Sequence, residues 1–189
     1  MTTIAAIQGD GWAVVGFDSR VTEDGRVFTL PAGSGKVVER GPWLLGAAGD
    51  VRAINLVSHV LRPPVPPHPG VERAELDAFF STKFVPALKN CFDQAQYGEK
   101  GEQDSQVIAV VRGVVYVVGS SYDWAPDESG TYAIGSGGDY ALGALARGED
   151  RRKNRTPQAA RDAVRRAVEI AARFDAETGP PVRVVTQSS

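Results

Sequence analysis

Thr2 is the residue on which chemistry could turn. Removing Met1 would leave a hydroxyl and a free α-amine on one residue. An α-amine with a pKa of about 8 can take a proton from a neighbouring hydroxyl near neutral pH, which turns the hydroxyl into a nucleophile toward an amide or ester carbonyl. A second group follows at the end of a hairpin. Residues 4–7 alternate as a strand, residues 8–11 turn, and residues 12–17 return and deliver the carboxylate of Asp18. The plain reading stands beside this one. Many chains begin Met-Thr and lose the methionine for no catalytic purpose, so the motif needs a structural context.

That context begins with the elements. Residues 21–34 read as a looser segment, carrying Asp24-Gly25 and Pro31-Ala32-Gly33. Residues 36–39 and 42–49 read as a second strand pair turned at Arg40-Gly41. The period then changes. Asp50 caps a helix with Ile54, Leu56, Val57, Val60 and Leu61 on its apolar face, and His59 at the edge of a core. The proline-rich residues 63–70 stop it and form an extended connection to a long helix over about residues 72–97, in which Pro86 should cause a kink or break. Residues 98–104 turn, and strands return over 105–111 and 114–119. A short strand at 131–134 enters Gly135-Ser136-Gly137-Gly138 and a helix through Tyr140, Leu142 and Leu145. Thr156-Pro157 opens the last helix, which passes Ala163, Val164, Ala167, Ile170 and Phe174, and residues 181–186 close as a strand.

Hairpin-joined strands imply antiparallel sheets, and helices arriving in pairs argue against a doubly wound α/β arrangement. The expectation is an α+β fold: a four-layer αββα sandwich forming a single domain over residues 1–189.

Composition removes several function classes. The chain has 189 residues, 23% charged and 42% hydrophobic, with a formal charge of -2, an ordinary globular mixture with no electrostatic case for nucleic acid or a membrane surface. The one dense basic run, residues 151–155, precedes a helix start and reads as a solvated loop. Cys91 is the only cysteine, which excludes an internal disulfide and suits a reducing, cytoplasmic compartment. His59 and His68 are the only histidines, neither in metal-ligand spacing nor near a serine in a nucleophile elbow, so neither zinc nor a histidine triad is expected. No signal peptide and no bilayer-spanning run is expected.

From Thr2, the spacing to Asp18 and then to Lys36 resembles that of the catalytic β-subunits of proteasomes and of the related peptidase subunit of the bacterial two-component ATP-dependent protease, all N-terminal-nucleophile hydrolases. Residues 132–141, Tyr-Ala-Ile-Gly-Ser-Gly-Gly-Asp-Tyr-Ala, resemble the stretch around the bacterial subunit's active-site serine, here Ser136. Asp175-Ala176-Glu177-Thr178-Gly179 fits the proteasomal pattern Asp-x-x-Ser-Gly with threonine in place of serine. A lone Gly-Ser-Gly-Gly could be a helix-entry turn or an anion nest, but these landmarks in order carry more weight. The likeness covers essentially the whole chain, least well at residues 63–70 and 122–130. The Asp18–Lys36 connection is slightly longer than in the bacterial subunit, and the stretch from Lys36 to Gly46 is shorter than in either branch.

The resemblance implies roles. Thr2 Oγ is the nucleophile and its amine, directly or through one water, the base. Lys36 near that amine would disfavour its protonated form and favour negative charge on Oγ, with Asp18 holding Lys36 charged and oriented. Ser136, Asp175 and Thr178 would complete the positioning network, while Thr3 reads as structural. Backbone N–H groups of Ala48 or Gly49 would donate to the oxyanion, a contribution of roughly 3 to 4 kcal/mol. Gly46 would floor a roomy apolar pocket. Maturation would need only loss of Met1.

The activity implied is that of a threonine endopeptidase acting on unfolded polypeptides, with no cofactor for the bond chemistry. Self-association into stacked six- or seven-membered rings is implied, with ATP entering only through a ring-shaped ATPase unfoldase. Plainer alternatives remain. Asp18 and Lys36 could be a surface ion pair of little worth, Asp175 could close a local turn, and Ser136 could cap a helix. The chain could be a non-catalytic structural subunit of the same fold, or an N-terminal-nucleophile amidase acting on small amides.

Overall fold

The computed structural model describes residues 2–23, 25–31, 34–98, 104–147 and 156–188. Strands β1 (Ile4–Gln8) and β2 (Trp12–Phe17) pair antiparallel with Ile4 opposite Phe17. β9 (Thr131–Ile134) adds beside β1 and β10 (Arg183–Ser188) beside β2, which makes a sheet of order β10-β2-β1-β9. A second antiparallel sheet runs β5-β6-β7-β8, from β5 (Val37–Arg40) and β6 (Trp43–Ala48) to β7 (Gln106–Val111) and β8 (Val114–Val118).

Side-chain alternation builds the layers. Ile4, Ala6 and Val15 face the other sheet and meet Leu44, Ile108 and Val110. Ala5, Ile7 and Val14 point the opposite way, onto α4 (Gly138–Ala146) and α5 (Pro157–Phe174). Small residues let α5 approach: a Cβ on Gly16 would lie 2.4 Å from Val164 Cγ1. On the far side, Trp43, Leu45, Ala109 and Tyr116 bury against α1 (Val51–Asn55), α2 (Arg73–Phe79) and α3 (Val85–Gln94). Phe80 stacks on Tyr116 with centroids 3.9 Å apart, and Phe84 on Trp43 at 4.6 Å. The result is a four-layer αββα sandwich, with apolar cores between the layers.

Several local expectations change. Residues 20–29 form a hairpin of β3 (Arg20–Glu23) and β4 (Arg26–Thr29) rather than a loose segment. Its residues are mostly exposed, so no apolar alternation marks it in the sequence. Pro86 does not break the long helix. A π-helical turn, Phe80–Phe84, joins α2 to α3 just ahead of it, and the widened turn accommodates a ring that has no N–H and crowds the carbonyl four residues back. A similar turn, Leu56–Val60, ends the first helix and leaves Val60 52% exposed and His59 at the surface rather than on a core edge. Phe174 is also exposed. Residues 63–70 do form an extended connection, tied down by Trp43 Nε1 to Pro64 O at 3.0 Å and Arg112 Nη2 to Pro67 O at 3.0 Å. The closing strand lies slightly later than expected. Met1, the basic run at 151–155 and most of the turn at 98–104 lie outside the described residues.

Candidate active site

Asp18 stands at the end of β2, fully buried. Its Oδ1 accepts from Thr3 N at 3.0 Å and Lys36 Nζ at 2.7 Å, and its Oδ2 from Arg20 N and Gly179 N, each at 3.0 Å. Three backbone donors and one ammonium thus satisfy the carboxylate without water. Lys36 precedes β5 and is also fully buried. Burial pushes its pKa below the ordinary value, with the charge and hydrogen bond of Asp18 opposing that shift. This is not a surface pair. It holds together the start of the chain, the end of β2 and the start of β5.

A second cluster forms where α5 ends. Asp175 caps the helix C-terminus. Its Oδ2 accepts from Ser136 Oγ at 2.7 Å and Thr178 Oγ1 at 2.5 Å, and its Oδ1 from Glu177 N at 3.1 Å. Burial alone would raise its pKa, but hydrogen bonds from Thr178, Ser136 and the Glu177 backbone outweigh this and hold the carboxyl below the ordinary 3.8. Thr178 Oγ1 lies 2.6 Å from Thr3 Oγ1. With the Thr178 proton directed at Asp175, Thr3 donates to Thr178. The relay therefore runs from Thr3 through Thr178 to Asp175 and back to Ser136, whose Oγ sits 3.5 Å from Thr2 O.

Ser136 does not cap α4. Gly137 occupies the cap position with no side-chain bond, and the serine turns to Asp175 instead. The glycines around it serve close approach. A Cβ on Gly137 would fall 2.0 Å from Thr3 Oγ1, and one on Gly135, at φ +91°, 2.0 Å from Thr2 O. Thr3, read from sequence as structural, belongs to the hydroxyl relay. A signal for this exists in strand phase: Thr3 continues the Ala5, Ile7 row, which faces the α4–α5 layer where Asp175 lies.

Thr2 is fully buried, and its Oγ1 has no hydrogen-bond partner among the described residues. Buried hydroxyls nearly always have a partner, and the exceptions often carry chemistry. Ala48, at the end of β6, and Gly49, at φ +143°, line a cavity of about 560 Å³ shared with Gly135 and Ser136. The cavity wall includes Asp104, Gln106 and Asp123 beside Ala48, Gly49 and Gly119, so it is mixed, polar and apolar in equal parts. Gly46 does not line it. A Cβ there would meet Val37 Cγ2 at 2.9 Å and Lys36 O at 3.0 Å, so its bareness serves packing behind Lys36. Among the described residues no group of three or more His, Cys, Asp or Glu side chains is placed to hold a metal ion, and no helix is long and apolar enough to cross a membrane.

No protein-family model matches the chain, and no curated protein matches it in sequence. Solved structures share its fold. BPH from Thiobacillus denitrificans in complex with epoxomicin is similar at a TM-score of 0.75 and 21% identity, over 99% of this chain and 98% of that one. A second BPH structure from the same organism gives 0.70 and 20% over the same shares. Eukaryotic HslV from Trypanosoma brucei gives 0.66 and 18% over 100% of both chains. The likeness spans the whole sandwich and establishes its architecture.

Proposed function

We propose that this chain is a threonine endopeptidase whose nucleophile is Thr2 Oγ1 once Met1 has been removed. The observation that carries the reading is a fully buried Thr2 hydroxyl that has no partner among the described residues. Its residue lies between two satisfied networks, one centred on Asp18–Lys36 and one on Asp175. Processing must also uncover Thr2. Its freed α-amine then takes the Oγ proton as the oxygen attacks the scissile carbonyl, and returns it to the leaving amine. Lys36, kept charged by Asp18, stabilises negative charge on Oγ. Ser136, Asp175 and Thr178 position the amine through the hydroxyl relay. The N–H of Ala48 or Gly49 donates to the tetrahedral oxyanion. Water then hydrolyses the acyl-enzyme ester. Neither metal nor organic cofactor enters these steps.

The whole chain acts as one catalytic domain in this reading. It assembles into stacked six- or seven-membered rings that enclose the sites, and unfolded polypeptides reach them with a ring-shaped ATPase as unfoldase. Negative-stain class averages would give the ring order, and a persistent monomer at micromolar concentration would exclude the assembly.

The deciding experiment is incubation with epoxomicin followed by peptide mapping and intact-mass analysis. The similarity to BPH, whose structure holds that compound, recommends the probe. Adduct formation at Thr2, in a chain lacking Met1, is expected. Thr2→Ala should abolish labelling and casein cleavage without lowering the melting temperature, since it removes an unpartnered hydroxyl. Full peptidase activity in correctly processed T2A protein, or an active preparation that wholly retains Met1, would overturn the assignment. Hydrolysis of small amides without peptide cleavage would move the chain to the amidase class.

A further inference from the structure

The cavity beside Ala48, Gly49 and Ser136 has a second wall, built where β7 begins and β8 ends. Gln106 Oε1 accepts from Gly135 N at 3.1 Å, which ties that wall to the turn carrying Ser136. Asp104 abuts the other rim, its carbonyl oxygen 2.9 Å from where a Cβ on Gly49 would stand. Just past β8 the chain turns, and Gly119 N donates to Asp123 O at 2.8 Å. The turn folds the Asp123 side chain back over Gly119. Its Oδ1 and Oδ2 lie 2.7 and 3.3 Å from where a Cβ at position 119 would be. Gly119 and Asp123 both line the cavity and Asp123 is exposed, so its carboxylate is within reach of an occupant.

Charge and shape narrow that occupant. Asp104 and Asp123 line the cavity, and among the described residues no Lys, Arg or His does. No ion pair among the described residues takes up Asp123. The cavity's volume of about 560 Å³ admits a long side chain, and Ala48 and the glycines leave its walls low. Small apolar surface leading to a carboxylate suits a hydrocarbon stem with a cationic head, which describes lysine and arginine. An apolar side chain would strip water from the carboxylates without replacing it, and an acidic one would meet like charge.

We propose that Asp123 is a specificity-determining residue that selects substrates with lysine or arginine beside the scissile bond, the stem lying in the cavity and the head paired with Asp123, while Asp104 adds to the negative field. The proposal rests on the peptidase reading, in which the N–H of Ala48 or Gly49 holds the scissile carbonyl oxygen. At about 3.4 Å per residue of extended chain, a side chain entering this cavity belongs to a residue within about two positions of the bond. The preference is modest, because an exposed carboxylate pairs only weakly in water.

Two measurements on the processed full chain test it. Mass spectrometry maps the bonds cut in denatured casein, and kcat/KM is compared for matched peptides carrying arginine or its neutral isostere citrulline at the enriched position. Lysine and arginine should be enriched at one fixed position within about two residues of the cut bonds. The arginine peptide should be favoured about fivefold, and salt at about 1 M should shrink that ratio. Asp123→Asn should bring the ratio below about twofold, and Asp123→Glu should keep most of it. Gly119→Ala, whose methyl displaces the carboxylate, should lower the ratio as Asp123→Asn does. No basic enrichment, a wild-type ratio near one, or an undiminished ratio in Asp123→Asn would each overturn the proposal. Epoxomicin labelling separates the two levels. An adduct at Thr2 without basic preference leaves the peptidase reading standing and removes this one, whereas no adduct and no cleavage removes both.

Discussion

The two carboxylates of the candidate site are built in opposite ways. Asp18 is sealed in, and three of its four donors are backbone N–H groups from Thr3, Arg20 and Gly179. Asp175 sits at a half-buried helix end, and two of its three donors are side-chain hydroxyls. Backbone donors cannot be mutated away and barely move, so Asp18 with Lys36 is a fixed electrostatic centre. Hydroxyls rotate, and their protons can be redirected, so the Asp175 side is suited to adjusting hydrogen bonds as charge shifts. Removing a member of the first cluster strands a buried charge, whereas removing a hydroxyl of the second costs one or two bonds among several.

The largest expected effect therefore belongs to Lys36→Ala. It should abolish peptide cleavage and epoxomicin labelling and destabilise the fold by about 3 kcal/mol or more, because Asp18 loses its counter-charge in a dry site. Denaturant unfolding reads the second quantity. The double variant Asp18→Asn, Lys36→Met sharpens the comparison. It should recover most of that stability with no activity, and failure to recover it would mean that the pair does more than cancel its own burial cost.

Gly137→Ala comes next. The added methyl collides with Thr3 Oγ1 at 2.0 Å and approaches Thr178 Oγ1 at 2.9 Å, forcing the relay apart. A loss of about 1–3 kcal/mol is expected from overpacking, with activity reduced at least as far as in Ser136→Ala. Unchanged activity would show that the relay does not position the nucleophile.

Ser136→Ala and Thr178→Val should each lower kcat/KM by about tenfold, with stability falling by about 1 kcal/mol for the hydrogen bond to Asp175 lost in Ser136→Ala and by about 2 kcal/mol for the two lost in Thr178→Val. Thr178→Ser keeps the hydroxyl and should stay near wild type. A Ser136→Ala loss as complete as that of Lys36→Ala would erase the distinction between a fixed centre and an adjustable one.

The smallest effects are those of pH, and the two clusters should respond at opposite ends. The folded pKa of Asp175 lies below 3.8, so its stabilisation is fully present above that value and is lost as pH falls through the folded pKa. The stability gap between wild type and Asp175→Asn should be flat at neutral pH and close in acid. The folded pKa of Lys36 lies below 10.5. The unfolded chain holds more protons between those values, so the Lys36 contribution to stability rises with pH across that interval. Unfolding curves for wild type and Lys36→Met, taken side by side, should diverge in the favour of wild type there, and parallel curves would contradict the shift.

Much of the scaffold is legible because its signals are local. Alternation over residues 4–7 and 12–17 assigns the first hairpin, and Asp50 and Thr156 cap their helices as their types suggest, accepting from Ala53 N at 2.8 Å and Ala159 N at 3.2 Å. The hairpin at residues 20–29 is not legible, because Val21 alone among its strand residues is buried. Nor is the π-helical turn before Pro86, because proline announces a disturbance without saying how neighbouring turns absorb it. Gly46 misleads for a related reason. A bare position can mean a pocket or a tight contact, and the neighbours that decide, Ile4 and Val37, come from other strands.

Residue types and strand phase by themselves determined the sandwich, the hairpin that ends on Asp18, and the presence of a hydroxyl, an ammonium and carboxylates at suggestive intervals. These depend on interactions within a few residues, which alternation and turn chemistry record directly. Only the tertiary structure decided that Asp18 and Lys36 are buried together, that Thr3 reaches Thr178 across 175 positions, and that Ser136 serves Asp175 rather than its own helix. Burial and hydrogen-bond partnership at such separations arise from how whole layers dock. The same docking satisfies both carboxylate oxygens of Asp18 and leaves the hydroxyl of Thr2 without a partner among the described residues.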